Sequence, residues 1–173
     1  RSGNALDNYL EGSRATPSDP TIPANVIDGG PGADTMVGFS GNDVYVVDSA
    51  GDRVIDYGIL ADGGELSTKD EVRASIAYEL PDHVEILRLT GSAAIDGWGN
   101  ALHNTLDGMQ NASVNRLHGG MGNDHYVVHA NDVVVEKVGE GVDTVELHGT
   151  GTRTYTPADL PAHVEGIAFG ADL

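Results

Sequence analysis

The chain has 173 residues and sets 27 acidic side chains against 9 basic ones, for a net charge of −18. That balance excludes nucleic acid and anionic membrane surfaces as partners, since both are held by a basic footprint, and no apolar run is long enough to insert into a bilayer. The absence of cysteine excludes disulfides, thiolate metal sites and cysteine nucleophiles.

Glycine is abundant, at 24 residues, but follows no Gly-X-Y period, so tight turns with positive φ are expected rather than collagen. A compact fold of this charge repels itself unless cations neutralise it. The first residue is Arg1, so the sequence reads as a processed or excised piece.

In chain order, Gly3-Asn4-Ala5-Leu6-Asp7-Asn8-Tyr9-Leu10-Glu11-Gly12 is followed by a Pro/Ser/Thr-rich stretch, 14–23, that reads as a surface loop. Short β-branched runs bounded by Gly, Asn or Asp then predict strands at Val44 to Val47, Val54-Ile55, Val84 to Leu89, Tyr126 to Val128, Val133 to Val135 and Val142 to Leu147. No segment sustains a helical period; Pro81-Asp82-His83-Val84-Glu85 could start one helical turn, and nothing extends it.

The chain repeats itself. The opening segment returns as Gly99-Asn100-Ala101-Leu102-His103-Asn104-Thr105-Leu106-Asp107-Gly108, Gly41-Asn42-Asp43-Val44-Tyr45-Val46-Val47 as Gly122-Asn123-Asp124-His125-Tyr126-Val127-Val128, and Leu80-Pro81-Asp82-His83-Val84-Glu85 as Leu160-Pro161-Ala162-His163-Val164-Glu165. Three matches in one order predict a duplicated unit, 1–98 and 99–173, within one continuous solenoid. The first copy adds the 14–23 loop and one extra nine-residue repeat, and the second adds a Gly/Thr stretch, His148 to Thr154. Such insertions fall between rungs that keep stacking.

Two segments fit G-G-x-G-x-D-x-U-x, with U a large apolar residue. They are Gly29-Gly30-Pro31-Gly32-Ala33-Asp34-Thr35-Met36-Val37 and Gly119-Gly120-Met121-Gly122-Asn123-Asp124-His125-Tyr126-Val127. A near match, Gly38-Phe39-Ser40-Gly41-Asn42-Asp43-Val44-Tyr45-Val46, follows the first directly, with Phe39 in place of the second glycine. In this pattern glycines turn carbonyl oxygens toward one point, the Asp adds a carboxylate, and U points inward from a short strand. Ca²⁺ takes six to eight oxygen ligands, more than one such turn supplies, so an ion belongs between turns of successive coils. With two nonapeptides per coil, turns on one edge recur about every 18 residues. Asp34 is then expected to face Gly51-Asp52, Asp43 to stack over Asn25, and Asp124 to meet the turn Gly139-Glu140-Gly141-Val142-Asp143. Asn115, before Arg116-Leu117, holds the place in the second copy that Asn25 holds before Val26-Ile27, while Asn8 and Asn104 are expected to be turn residues without an ion.

These motifs resemble the RTX, or hemolysin-type, repeats of bacterial secreted proteins. The segment Asp70 to Gly91, with Tyr78, Leu80-Pro81 and Val84-Glu85, resembles the spacers between such repeats. The resemblance implies a right-handed parallel β-roll or β-helix, about two to four bound Ca²⁺, an extracellular location and folding triggered by calcium outside the cell. The metal residues it implies are Gly29, Gly30, Gly32 and Asp34; Gly38, Ser40, Gly41 and Asp43; Gly119, Gly120, Gly122 and Asp124; with Asn25, Asp52, Asn115 and Asp143 as partners. Such modules occur in proteases, lipases, polysaccharide-modifying enzymes, adhesins and surface layers, so the resemblance names no reaction.

No catalytic constellation stands out, and the expectation is a structural module rather than an enzyme. Tyr78, Asp82 and His83 lie close together, but the second copy replaces them with Tyr155, Ala162 and His163 and the spacer pattern treats them as a turn. Trp98 alone is no sugar platform. Neither end resembles a solenoid cap, so self-association through the ends is expected; the alternative is a calcium-dependent folding and secretion module of a larger secreted enzyme.

Overall fold

The structure is a computed structural model, and it describes residues 1–13, 24–57, 69–129, 131–149 and 161–170. The loop expected at 14–23 and most of the Gly/Thr stretch after His148 lie outside the described residues. The described residues form a parallel β-solenoid of about six turns with no helix.

One wall is an eight-stranded parallel sheet. Its strands in chain order are β2 (Val26–Asp28), β4 (Val44–Val47), β6 (Glu71–Ala74), β8 (Ile86–Gly91), β10 (Thr105–Asn111), β12 (His125–His129), β14 (Thr144–His148) and β15 (Gly166–Phe169). A second wall is built in two parts. The first copy gives β1 (Tyr9–Glu11), β3 (Thr35–Val37) and β5 (Arg53–Ile55); farther along come β7 (Tyr78–Glu79), β9 (Asp96–Trp98), β11 (Arg116–His118) and β13 (Val133–Val135). The eight-stranded wall crosses the boundary between the two copies through β8 and β10, paired Thr105 with Ile86 and Leu106 with Leu87.

Alternation along these strands drives the fold. Ile27, Met36, Tyr45, Val54, Val72, Leu87, Leu106, Leu117, Tyr126 and Val145 point inward and share one core, while their neighbours along the strands are more exposed, except Val37, which is also buried. A one-residue slip would invert every rung, so the pattern fixes the register. On β9 the inward position is Gly97, where a Cβ would lie 2.8 Å from Leu87 Cδ2; the leucines of adjacent coils fill that space.

The expected strands are present, with shifted limits: Val84 precedes β8 and Val142 precedes β14. Pro81 to Glu85 is not a helical turn, because His83 adopts φ 67°, and His163 repeats it at φ 66°. Phe39 takes the second glycine's place at φ 76°, a conformation that is uncommon for a side chain of this size. Its ring stacks on Tyr57 with centroids 5.7 Å apart.

Candidate metal centre

One residue precedes each strand of the eight-stranded wall: Asn25, Asp43, Asp70, Glu85, Asn104, Asp124, Asp143 and Glu165. They stack coil over coil, and in two runs, Asn25 to Glu85 and Asn104 to Glu165, the side chain of one caps the backbone N–H of the equivalent residue a coil earlier. Asn25 N donates to Asp43 Oδ1 at 2.6 Å, Asp43 N to Asp70 Oδ1 at 2.7 Å and Asp70 N to Glu85 Oε2 at 2.9 Å. Asn104 N donates to Asp124 Oδ1 at 2.8 Å, Asp124 N to Asp143 Oδ1 at 2.8 Å and Asp143 N to Glu165 Oε2 at 2.7 Å. A parallel ladder carries its strand bonds between coils but leaves these corner amides over, and the carboxylates satisfy them. A shorter column runs along the first copy's other wall, where Asn8 N donates to Asp34 Oδ1 at 2.7 Å and Asp34 N to Asp52 Oδ1 at 3.1 Å.

This arrangement uses one oxygen of each carboxylate. The second oxygens of Asp34, Asp43 and Asp124 are buried without a hydrogen-bond partner, as is Glu136 Oε2. In two places these carboxylates converge. Asp43, Asp56 and Asp70 form one cluster and Asp124, Glu136 and Asp143 the other; in each, one ligand atom per residue lies within 4.8 Å of the others. All six residues are buried, none more than 7% exposed.

The clusters are copies of each other. Each begins with the motif Asp, and the inward Tyr two residues later donates to the carboxylate that follows the next strand. Tyr45 Oη donates to Asp56 Oδ2 at 2.5 Å, and Tyr126 Oη donates to Glu136 Oε1. Glycine makes room beside each: a Cβ on Gly38 would overlap Asp43 Oδ2 and the Tyr45 hydroxyl, and one on Gly119 would overlap Asp124 Oδ2 and the Tyr126 hydroxyl.

Burying acids together disfavours their charge. Desolvation pushes the Asp124 carboxyl up to about 7, helped by the nearby Asp143 and Glu136. It also raises Asp43, Glu136 and Asp143, and each of the three has a neighbouring acid that raises it further. Among the described residues, Asp43, Asp124, Glu136 and Asp143 have no basic partner in ion-pair contact.

The expected pairs Asp34 with Asp52, Asn25 with Asp43, and Asp124 with Asp143 are therefore brought together. Gly30, Gly32, Gly41, Gly120 and Gly122 take the positive φ that the turns require, and Ser40 is buried in the turn between β3 and β4. Asn115 lies apart from Asp124. It precedes β11 on the second wall, accepts from Ile95 N and donates from its own N to Asp132 Oδ1 at 2.9 Å. Asp56, Asp70 and Glu136 are cluster members that the motifs do not mark. The signal for Asp56 and Glu136 is the tyrosine at the large apolar position, followed by an acid 11 residues on in the first copy and 10 in the second; Asp70 has no such mark.

The donor set is all oxygen, anionic and irregular, and it leaves buried oxygens unbonded; a hard divalent cation with flexible coordination fits it. Tyr78 and Asp82 line a common cleft with Asp52 and Asp56, and Asp82 and His83 are exposed at the turn. No family model, no curated protein and no solved structure matches this chain.

Proposed function

We propose that this chain is an extracellular, calcium-binding structural solenoid of the RTX-like kind, with one ion held at Asp43, Asp56 and Asp70 and another at Asp124, Glu136 and Asp143. The observation that carries the reading is the pair of buried three-acid clusters, repeated in both copies, with the second oxygens of Asp43 and Asp124 left without a hydrogen bond. Three carboxylates in a dry interior strongly oppose one another, and a divalent cation reverses the sign of that interaction. Turn carbonyls from the glycine-rich loops would complete the shell of oxygens that Ca²⁺ prefers, whereas Mg²⁺ demands a smaller octahedron. Because the clusters join residues far apart in sequence, the unfolded chain has no such site, and ion binding adds to folding free energy. Exported into calcium, such a chain folds; in low calcium its charge resists collapse.

The test is far-UV circular dichroism of the chain in chelator during titration with Ca²⁺ or Mg²⁺. The expected result is a β signal and a thermal midpoint that rise with Ca²⁺ and respond little to Mg²⁺. A chain whose β signal and thermal midpoint are the same in chelator as in calcium would refute the reading.

A further inference from the structure

The outer face of the eight-stranded wall carries a cluster that the acidic column does not use. Tyr126, Val128, Val145 and Leu147 point into the core. Their neighbours His125, Val127 and His129 on β12, and Thr144, Glu146 and His148 on β14, therefore face outward. The parallel register sets His125 opposite Thr144, Val127 opposite Glu146 and His129 opposite His148. Glu146 has an imidazole on either side: its Oε1 is 2.8 Å from His148 Nε2, and its Oε2 is 3.5 Å from His125 Nε2. The neighbouring strand, β15, places Gly166 beside Thr144 and Ala168 beside Glu146. A Cβ on Gly170, which follows β15, would overlap the His148 ring. Small residues along that strand thus leave the ring its position.

The tautomer of His125 decides what this cluster can hold. Thr144 Oγ1 donates to Asp124 O at 3.4 Å, so the same oxygen accepts from His125 Nδ1–H at 3.0 Å. In the neutral ring the proton is then on Nδ1, and Nε2 turns its lone pair toward the Glu146 carboxylate. Two acceptors that face each other need positive charge between them, either a second proton or a metal ion. The spacing favours the metal. A charge-assisted N–H···O bond closes to about 2.8 Å, as it does at His148. Nitrogen and oxygen ligands of one tetrahedral zinc ion, at about 2.0–2.1 Å each, stand about 3.4 Å apart, and His125 Nε2 and Glu146 Oε2 are 3.5 Å apart. The Thr144 contact is also of the kind that orients metal-binding imidazoles, which donate their other N–H to a fixed acceptor.

We infer that this face binds one transition ion of the Zn²⁺ class through His125 Nε2, the Glu146 carboxylate and His148 Nε2, with water in the fourth position. His148 gives up the proton it shares with Glu146 as the ion enters. The side chains of His125 and Glu146 are 40% and 35% exposed, so the ion arrives from solvent. Imidazole nitrogen separates this site from the buried clusters: it suits Zn²⁺, whereas Ca²⁺ and Mg²⁺ take oxygen. The ion ties β12 to β14 from outside, on the coils whose corner residues Asp124 and Asp143 belong to the second acidic cluster.

The test is isothermal titration calorimetry of the full chain with Zn²⁺, in saturating Ca²⁺ to keep Zn²⁺ off the acidic clusters. The expected result at neutral pH is one ion per chain, with proton release. His125→Gln and Glu146→Gln should each weaken Zn²⁺ binding by about tenfold or more, while His103→Gln, elsewhere on the chain, should leave it unchanged. Both ligand variants sit on the outer face and should keep the circular dichroism and the Ca²⁺ response of the parent. No Zn²⁺ uptake, or uptake unchanged in either ligand variant, would overturn the inference. If the chain proves indifferent to Ca²⁺ but loses Zn²⁺ with His125→Gln, the calcium reading fails and the zinc site stands.

Discussion

Asp43 Oδ1 accepts two hydrogen bonds from Asn25, one from its backbone N–H at 2.6 Å and one from its side-chain amide at 2.7 Å. The division of labour between the two oxygens of Asp43 follows. Oδ1 holds the neighbouring coil, and Oδ2 is buried without a hydrogen-bond partner. The same holds at Asp124, where Oδ1 caps Asn104 N.

Replacing Asp43 or Asp124 by Asn separates these roles. The amide oxygen still caps the coil before it, but the charge is gone. Each single variant should bind one ion fewer in isothermal titration calorimetry. In chelator it should be as stable as the parent or about 1 kcal/mol more so, since it removes a buried like charge. Loss of stability in chelator together with unchanged calcium stoichiometry would mean that the carboxylate serves structure alone.

The hydroxyls of Tyr45 and Tyr126 orient the carboxylates of Asp56 and Glu136. Tyr126→Phe keeps the inward ring and removes the donor. Partners that orient ligands are typically worth 10–100-fold in metal affinity, so calcium binding at the second cluster should weaken by about that factor. The first cluster, probed in the same titration, should not change.

Metal-free, the chain should respond to pH in the opposite sense to a protein held by salt bridges. Burial pushes Asp124 up to about 7 and raises Asp43, Glu136 and Asp143. The folded chain therefore holds protons that the unfolded chain, with carboxyls near 4, has already released. Stability falls with rising pH wherever the folded state binds more protons. In chelator, the thermal midpoint should drop as pH rises from about 4 toward 7. Saturating Ca²⁺ displaces those protons and should abolish the drop; calcium binding at pH 6 should release protons measurable in weakly buffered solution.

Replacing Gly38 or Gly119 bears directly on the clusters. A methyl at either would overlap the motif Asp and the tyrosine hydroxyl. Gly119→Ala should cost about 2–4 kcal/mol in chemical denaturation and remove the second ion from the calorimetric stoichiometry. Gly139→Ala, at a turn with φ 81° and nothing within 4 Å, should be milder and leave the stoichiometry intact.

The rungs were legible because alternation and glycine punctuation are local. Ile27, Met36 and Tyr45 sit at the inward position of successive nonapeptides, and a spacing of 18 or 19 residues connects Asn25 to Asp43, Asp34 to Asp52, and Asp124 to Asp143. Asp70 was not legible by that rule, because 27 residues separate it from Asp43. The register nevertheless sets Val44 opposite Glu71, so a longer connection restores the stack without marking it in sequence. Asp56 and Glu136 follow short strands at the far side of the coil and resemble ordinary turn acids until the tyrosines are seen to reach them. Asn115 misleads for the converse reason: its sequence context matches Asn25, but the extra nonapeptide of the first copy places the matching turn on the other wall.

The column of corner residues has a further property. Between Asp70 and Asp124 stand only Glu85 and the uncharged Asn104. Strands stack about 4.8 Å apart, so three steps separate the clusters by about 14 Å, where an effective dielectric of about 20 leaves only about 1 kcal/mol between two unit charges. Asn104 is thus a spacer in an electrical sense. The two clusters are only weakly coupled and should fill as nearly independent compartments, each deciding the fate of its own stretch of coil.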